Sequence, residues 1–292
     1  MIASLPRSAW LRTATAVYVA AFLIFLFLPL AIVTVFAFND ASYPAPPWRG
    51  FTLDWFLGNA AAGRVGLFRD SELLGSIWTS VVVASWVTAL SVAVGTANAF
   101  LMERYRFFGK ETLSVLMLAP LVIPGVILGI SILSLSSRVA DLLLGLFDVD
   151  LDFLRPGLPL VVLGQFSYIA TISTLMISAR LQRFDRTLEE AALNLGASHA
   201  AVLRTITFPY LRPALIGSAA ISFLMSFENF NTTLMLVGAD PPLTVMMYGR
   251  MREGATPVLN AVSVFLMLAS ALFALTLLRG GARAAAPPRP TP

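Results

Sequence analysis

The sequence predicts an all-helical, polytopic membrane protein with six transmembrane helices, on three observations. Apolar residues make up 58% of the 292-residue chain and charged residues only 12%, about half of what a soluble domain carries. Apolar runs near 20 residues long recur along the chain, the length that crosses a bilayer. Lys and Arg gather between those runs, mostly on alternate sides of them. The composition also excludes chemistry. The chain has no Cys, one His (His199) and one Lys (Lys110), so it has no thiol catalysis, disulfide framework or multi-histidine metal site. Lys110 stands in YRFFGKE, without the upstream Gly and following Ser or Thr of a phosphate loop. No catalytic residue and no metal ligand is assigned. The basic residues follow membrane topology, so nucleic acid is not an expected partner.

The spans are read in order as 14–38, 74–101, 112–137, 158–179, 214–237 and 257–278. The first follows Arg7 and Arg12, but its apolar run is about 25 residues, against about 7–15 for a signal peptide, and reads as a retained anchor. The transmembrane domain is thus 14–279, preceded by a short N-terminus, 1–13, and followed by a Pro-rich disordered tail, 280–292. The side holding the N-terminus, 102–111, 180–213 and the tail carries 13 Lys and Arg; the other carries 7. The richer side is cytoplasmic by the positive-inside rule, so both termini are inside.

Between spans 1 and 2, residues 39–73 are rich in Pro and aromatics. Tyr43, Trp48 and Trp55 there are either interface anchors or cation–π contacts at an outer mouth. Residues 241–256 place Leu243, Met246, Met247 and Met251 at helical spacing, predicting a short surface helix. These outer segments serve either as loop packing or as a docking surface for an external partner. Span 3 holds Pro120, Pro124 and Gly125-x-x-x-Gly129, small residues that let helices approach closely, either at a moving subunit interface or in ordinary kinked packing.

The inside loop 180–213, RLQRFDRTLEEAALNLGASHAAVLRTITFPYLRP, is built to be structured. Thr187 and Glu190 have capping-box spacing, and Glu189 and Glu190 suit the positive end of a helix. Gly196 suits a left-handed stop, Ser198 a second N-cap, and Pro209 should end that second helix. Ala191, Ala192 and Ala197 are small enough for a partner surface to approach. The result is helix, glycine corner, helix, lying either against the membrane face or against a partner.

Glu190-Ala191-Ala192, Gly196, Ile206 and Pro209 together resemble the EAA loop of the binding-protein-dependent ABC importer permeases, at the same spacing and after the fourth span. The resemblance covers nearly the whole chain, and is strongest to the spermidine/putrescine-type permeases, in the smaller subunit's branch. It implies that Glu189, Glu190, Ala191, Ala192, Gly196, Ile206 and Pro209 form a coupling element seated on a separate ATPase. That ATPase would carry the ATP and Mg, with no cofactor bound by this chain. It further implies a second permease subunit in a heterodimer, two ATP-binding subunits, a periplasmic solute-binding protein and location in a bacterial inner membrane.

Span 5 holds Glu228, the one acidic residue placed inside a span, at a cost of about 2.5–3.5 kcal/mol at the bilayer centre. Around it, Ser222, Ser226, Asn229 and Thr233 form one helical stripe and Glu228, Asn231 and Thr232 another, about 100° away. Either a wide face lines a cavity or the helix breaks here. Glu228, Asn229, Asn231, Thr232 and Ser226 are therefore the candidate substrate path, and Glu228 either faces a cationic solute or bonds a neighbouring helix. The polyamine permeases carry acidic residues in this region, which implies a polyamine-like organic cation; here Asn229 stands beside a single negative charge. Alternatives are another small polar solute, such as an aminoalkylphosphonate or an inorganic anion, and a gradient-driven secondary transporter with Glu228 as its ion site.

Overall fold

The computed structural model describes residues 9–254 and 256–284, all helix, turn and loop apart from two isolated β-bridges. Arg7 and the tail from 285 onward lie outside the described residues. Among the described residues, five helices are long and apolar enough to cross a membrane, and 257–272 adds a shorter apolar stretch. Among the described residues the chain divides into two compact units, one running up to 71 and taking in 250–273, the other taking in 72–249 and the residues from 274 onward.

The first unit begins with α1 (Ala9–Ala37), 29 residues with Pro29 inside. Its apolar face runs all the way round, and only Ala37 is buried, as suits a helix solvated by lipid or by another chain. The Pro- and aromatic-rich segment after it folds on itself. Asn39 is fully buried: its side chain accepts from the Arg49 N–H at 2.8 Å, and its carbonyl accepts from the Trp55 indole at 2.9 Å. Trp55 opens α2 (Asp54–Leu57), and the Arg64 guanidinium lies over its ring at 4.8 Å while pairing with Asp54 at 3.1 Å. Asp70 forms a two-bond ion pair with Arg250.

The second unit is ordered around α6. It comprises α3 (Ser71–Arg104, whose first residue belongs to the other unit), α4 (Lys110–Val122), α5 (Gly125–Phe147), α6 (Leu158–Leu181), α7 (Thr187–Asn194), α8 (His199–Val202), α9 (Phe208–Phe227), α10 (Asn231–Leu236) and most of α11 (Leu243–Glu253). α12 (Pro257–Ala284) closes the chain. It carries helix into the predicted disordered tail as far as Ala284, because Leu278 to Ala284 contains no Pro to stop it. α6 is the most buried of the candidate spans. Leu160, Val161 and Ile169 from it pack with Val83 and Val87 of α3 and Leu236 of α10.

Two predicted spans are broken. Span 3 is two helices, α4 and α5, separated by extended backbone at Ile123 and Pro124. Proline at 124 disfavours helix at the preceding residue, which ends α4. α5 then continues ten residues past the predicted boundary. Span 5 stops at Phe227 and resumes as α10. The Gly-x-x-x-Gly pair seats that short helix: a Cβ on Gly125 would stand 3.1 Å from Asn231 Cβ, and one on Gly129 2.9 Å from Met235 Cβ. The pair therefore serves packing within the chain.

Candidate functional site

Two joints carry the candidate residues, and both lie in the second unit. The first is the break in span 5. Gln165 of α6, only 1% exposed, donates to Thr233 at 2.8 Å and accepts from Ser226. Asn229 reaches the same helix, donating to the Tyr168 hydroxyl. Its side-chain oxygen accepts from the Thr233 N–H at 3.2 Å and the Thr233 hydroxyl at 3.0 Å. Thr244 donates to the Asn229 carbonyl at 2.9 Å, and one turn nearer the start of α9, Ser222 pairs with Ser173 at 2.9 Å. The whole first stripe thus faces α6. A helix break leaves backbone groups orphaned, and this polar seam supplies partners in an apolar setting where an unmade hydrogen bond is costly.

The second stripe parts company with the first. Thr232 is buried and donates to the Gly125 carbonyl at 3.3 Å. Glu228 and Asn231 are exposed. Glu228 caps α9, its N–H bonded to the Leu224 carbonyl, and its carboxylate has no hydrogen bond or ion pair among the described residues. Of the five candidate path residues, Ser226, Asn229 and Thr232 are therefore committed to internal bonds. Glu228 and Asn231 are left open. Sequence reasoning passed over Gln165 and Tyr168; an amide in the middle of an apolar span was the available signal.

The second joint is the 180–213 loop. The glycine corner forms as the sequence predicts. Gly196 has φ +90, its N–H bonds the Leu193 carbonyl at 2.9 Å, and the Ala197 N–H bonds Ala192 at 3.0 Å, the paired bonds of a Schellman stop. Ser198 caps α8, accepting from the Ala201 N–H at 3.2 Å. The capping box does not form. Thr187 instead donates its N–H at 3.0 Å and its hydroxyl at 2.8 Å to the Asp185 carboxylate, a charged and hence stronger acceptor. These bonds hold the exposed Asp185 carboxyl below its usual range, the Thr187 hydroxyl being the larger cause and the Thr187 N–H the next.

Pro209 does not end the second helix. It sits at the second position of α9, where a missing N–H costs least. Leu203–Thr207 just before it form one widened turn in which the Phe208 N–H reaches back five residues to Leu203. Ile206 packs with Leu181, Phe184 and Leu211 beneath the loop.

Glu189 and Glu190 have opposite fates. Glu189 pairs with Arg104 at 2.9 Å, both largely covered, and accepts from Thr207 at the end of the widened turn. It faces the interior of the chain. Glu190 is exposed, with no side-chain partner among the described residues. Beside it Ala191 is exposed, and Leu188 and Leu195 present 53% and 90% of their surface.

In the first unit, Trp55 is 6% exposed and holds the 39–73 segment together, so it is neither an anchor nor a free cation–π face. Trp48 and Tyr43 are about half exposed, and Arg49 already stands 5.9 Å from the Tyr43 ring centre.

Long apolar helices, a broken span and a structured loop joining two of the spans define a polytopic integral-membrane protein. The chain belongs to the family described as the binding-protein-dependent transport system inner membrane component, whose model matches residues 95–289. It is 26% identical over 245 residues to the putrescine transport system permease protein PotI of Escherichia coli strain K12, covering 83% of this chain and 82% of the relative. It is 28% identical over 256 residues to the spermidine/putrescine transport system permease protein PotC of Haemophilus influenzae, covering 87% and 91%. Its fold matches a chain of a bacterial ABC transporter involved in the import of the acidic polysaccharide alginate, with TM-score 0.73 and 18% identity over 95% of this chain and 96% of that one. The protein is thus a multi-pass permease of an ABC importer, an inner membrane component of a binding-protein-dependent transport system.

Proposed function

We propose that this chain forms half of the translocation path for a small organic cation of the polyamine type. The observation that carries the reading is Glu228. Its carboxylate is exposed and unpaired at the C-terminal end of a helix that stops within a span, while its polar neighbours Ser226, Asn229 and Thr232 are already bonded. The helix end adds partial negative charge from unsatisfied carbonyls. A carboxylate and a helix C-terminus together suit an ammonium group, as broken helices in other transporters suit cations. The putrescine and spermidine/putrescine relatives support the same solute class.

Glu228 lies on an open face of this chain. A bare carboxylate at membrane depth is expensive, so a second permease subunit covers it and completes the path, in a heterodimer. Two copies of a separate ATPase, which bind ATP and Mg, dock at the α7–α8 corner through Glu190, Ala191, Leu188 and Leu195. A solute-binding protein delivers from the periplasmic side, and both termini are cytoplasmic.

The test is uptake of labelled putrescine and spermidine by the full importer in proteoliposomes, with phosphate and an aminoalkylphosphonate as competing solutes. Hydrogen bonds to charged groups contribute about 1.5–3 kcal/mol, so Glu228→Gln should raise the half-saturating polyamine concentration about tenfold or more with assembly intact. Unchanged polyamine uptake by Glu228→Gln, or uptake of an anion in preference, removes the cation path. Uptake that persists without an ATPase removes the importer mechanism.

A further inference from the structure

The motif of the 180–213 loop marks Glu190, but the bonding of its neighbour is the more specific feature. Glu189 lies in the first turn of α7, and Arg104 is the last residue of α3. Each charge suits the helix end that bears it, so their 2.9 Å pair joins the end of one helix to the start of another. The same Glu189 oxygen accepts from Thr207, which closes the widened turn between α8 and α9. One carboxylate oxygen therefore ties three elements: the span ending at Arg104, the exposed corner helix, and the start of the broken span that carries Glu228.

The surroundings hold the tie in register. The Arg104 guanidinium lies 5.4 Å from the Phe184 ring centre, Phe184 packs on Tyr210 at 5.0 Å, and Arg180 stands 4.1 Å from the Tyr210 ring centre. Arg186 and Gln182 reach Glu103, at its carbonyl and at its carboxylate. By contrast α7 buries no residue. Without side-chain ties, a helix of eight residues with no buried face would rotate about its own ends when pushed, and the push would not reach α3 or α9.

We propose that Glu189 is a positioning residue: a tie bar that transmits displacement of α7 to α3 and, through Thr207, to α9, with no part in holding the ATPase. The inference rests on the reading that a separate ATPase acts on the α7 corner. It adds that docking and transmission belong to adjacent residues, Glu190 for the first and Glu189 for the second. The widened turn fits this division, because a turn with five-residue bonds is a local weak point in a helix. Pinning its end at Thr207 passes motion into α9 instead of letting the turn absorb it.

The experiment uses the complete importer in proteoliposomes and reads three quantities: yield of co-purified ATPase, ATP hydrolysis, and solute taken up per ATP hydrolysed. Glu189→Gln should keep the ATPase yield and lower uptake per ATP at least tenfold. The reversed pair, Glu189→Arg with Arg104→Glu, restores the ion pair but not the acceptor for Thr207, and should recover only part of that loss, whereas Arg104→Glu alone should recover none. Thr207→Val removes one bond without touching a charge, and should lower uptake per ATP by a few-fold at unchanged ATPase yield. It decides the matter if Glu189→Gln fails to assemble. Loss of ATPase from Glu189→Gln with assembly of this chain intact makes Glu189 a docking residue and overturns the inference. Unchanged uptake per ATP in either variant overturns it as well. Failure of the unmodified importer to retain any ATPase defeats the coupling reading itself, a different result from either.

Discussion

The joint in span 5 and the corner in the 180–213 loop are built to one plan in two solvents. In each, a helix stops and another starts within a few residues. In each, one polar residue is held by the fold while a neighbouring carboxylate is left open: Asn229 beside Glu228, and Glu189 beside Glu190. The difference lies in what does the holding. The membrane joint uses neutral amides and hydroxyls, Gln165, Asn229, Tyr168 and Thr233, locked against α6. The loop joint uses ions, Glu189 with Arg104 and Asp185 with Thr187, near water. This follows from the cost of desolvating charge, which an amide avoids. The comparison teaches that the held residues set geometry, while the open ones meet something outside this chain.

The largest effect should come from breaking the membrane joint. Asn229→Ala removes the acceptor for the Thr233 N–H and hydroxyl and the donor to Tyr168. Each buried group left unpaired costs about 1–3 kcal/mol, so a loss of about 2–4 kcal/mol is expected, read as a lower melting temperature in detergent. Glu228→Gln and Glu190→Gln should each stay within about 0.5 kcal/mol of the parent, as exposed positions do, although uptake changes. A melting loss in either carboxylate variant equal to that of Asn229→Ala would erase the distinction between held and open residues.

A smaller effect is expected at the loop corner. Gly196 has φ +90 and open space around its Cβ position, so Gly196→Ala meets backbone strain alone. A left-handed non-Gly residue costs roughly 1–2 kcal/mol. The strain should appear as faster amide exchange in α7 and the residues just after it, with the α6 amides unchanged. Slowed or unaltered exchange in α7 would mean that the corner does not depend on its left-handed residue.

Much of this plan was legible in the sequence where the controlling forces are local. The boundaries of the second and fourth spans hold to within about three residues, since apolar length alone sets them. Gly196 and Ser198 act as predicted because a stop and a cap depend on neighbours a few residues away. The break in span 5 was one of two outcomes that the two stripes allowed. In span 3, Pro120 and Pro124 suggest a kink, but a full break at Ile123 and Pro124 goes further than an unbroken apolar run announces, because hydropathy does not register a backbone turn. Thr187 was misassigned because Asp185, two residues earlier, outcompetes Glu190 as its partner. The Glu189–Arg104 pair is not legible in the sequence, because Arg104 is 85 residues away and nothing local announces it. Trp55 went the same way, its partners Asn39 and Arg64 being contributed by separate turns of the loop.

The smallest effect is also the sharpest test of the contrast between amides and ions. Asn229 and Asp185 do similar work: each accepts from a backbone N–H and from the hydroxyl of the same Thr residue, Thr233 in one case and Thr187 in the other. Only the Asp185 version can titrate. Its carboxyl is held below the usual range by the Thr187 hydroxyl and N–H. A carboxyl depressed in the folded state contributes its stabilisation fully above the unfolded value, near 4, and loses it as pH falls through the folded value. Protection of the first α7 amides, corrected for the intrinsic pH dependence of exchange, should therefore decline as pH drops below about 4. In Asp185→Asn the amide oxygen keeps an acceptor at every pH, so the part of the decline due to Asp185 should vanish, while protection at neutral pH falls slightly for want of the charge. The amides of α10, where Asn229 accepts from the Thr233 N–H, should show no matching decline in either protein. Identical acid profiles for the parent and Asp185→Asn would mean that the start of α7 does not depend on the charge at Asp185, and the contrast between a neutral membrane joint and an ionic loop joint would then rest on Glu189 and Arg104 alone.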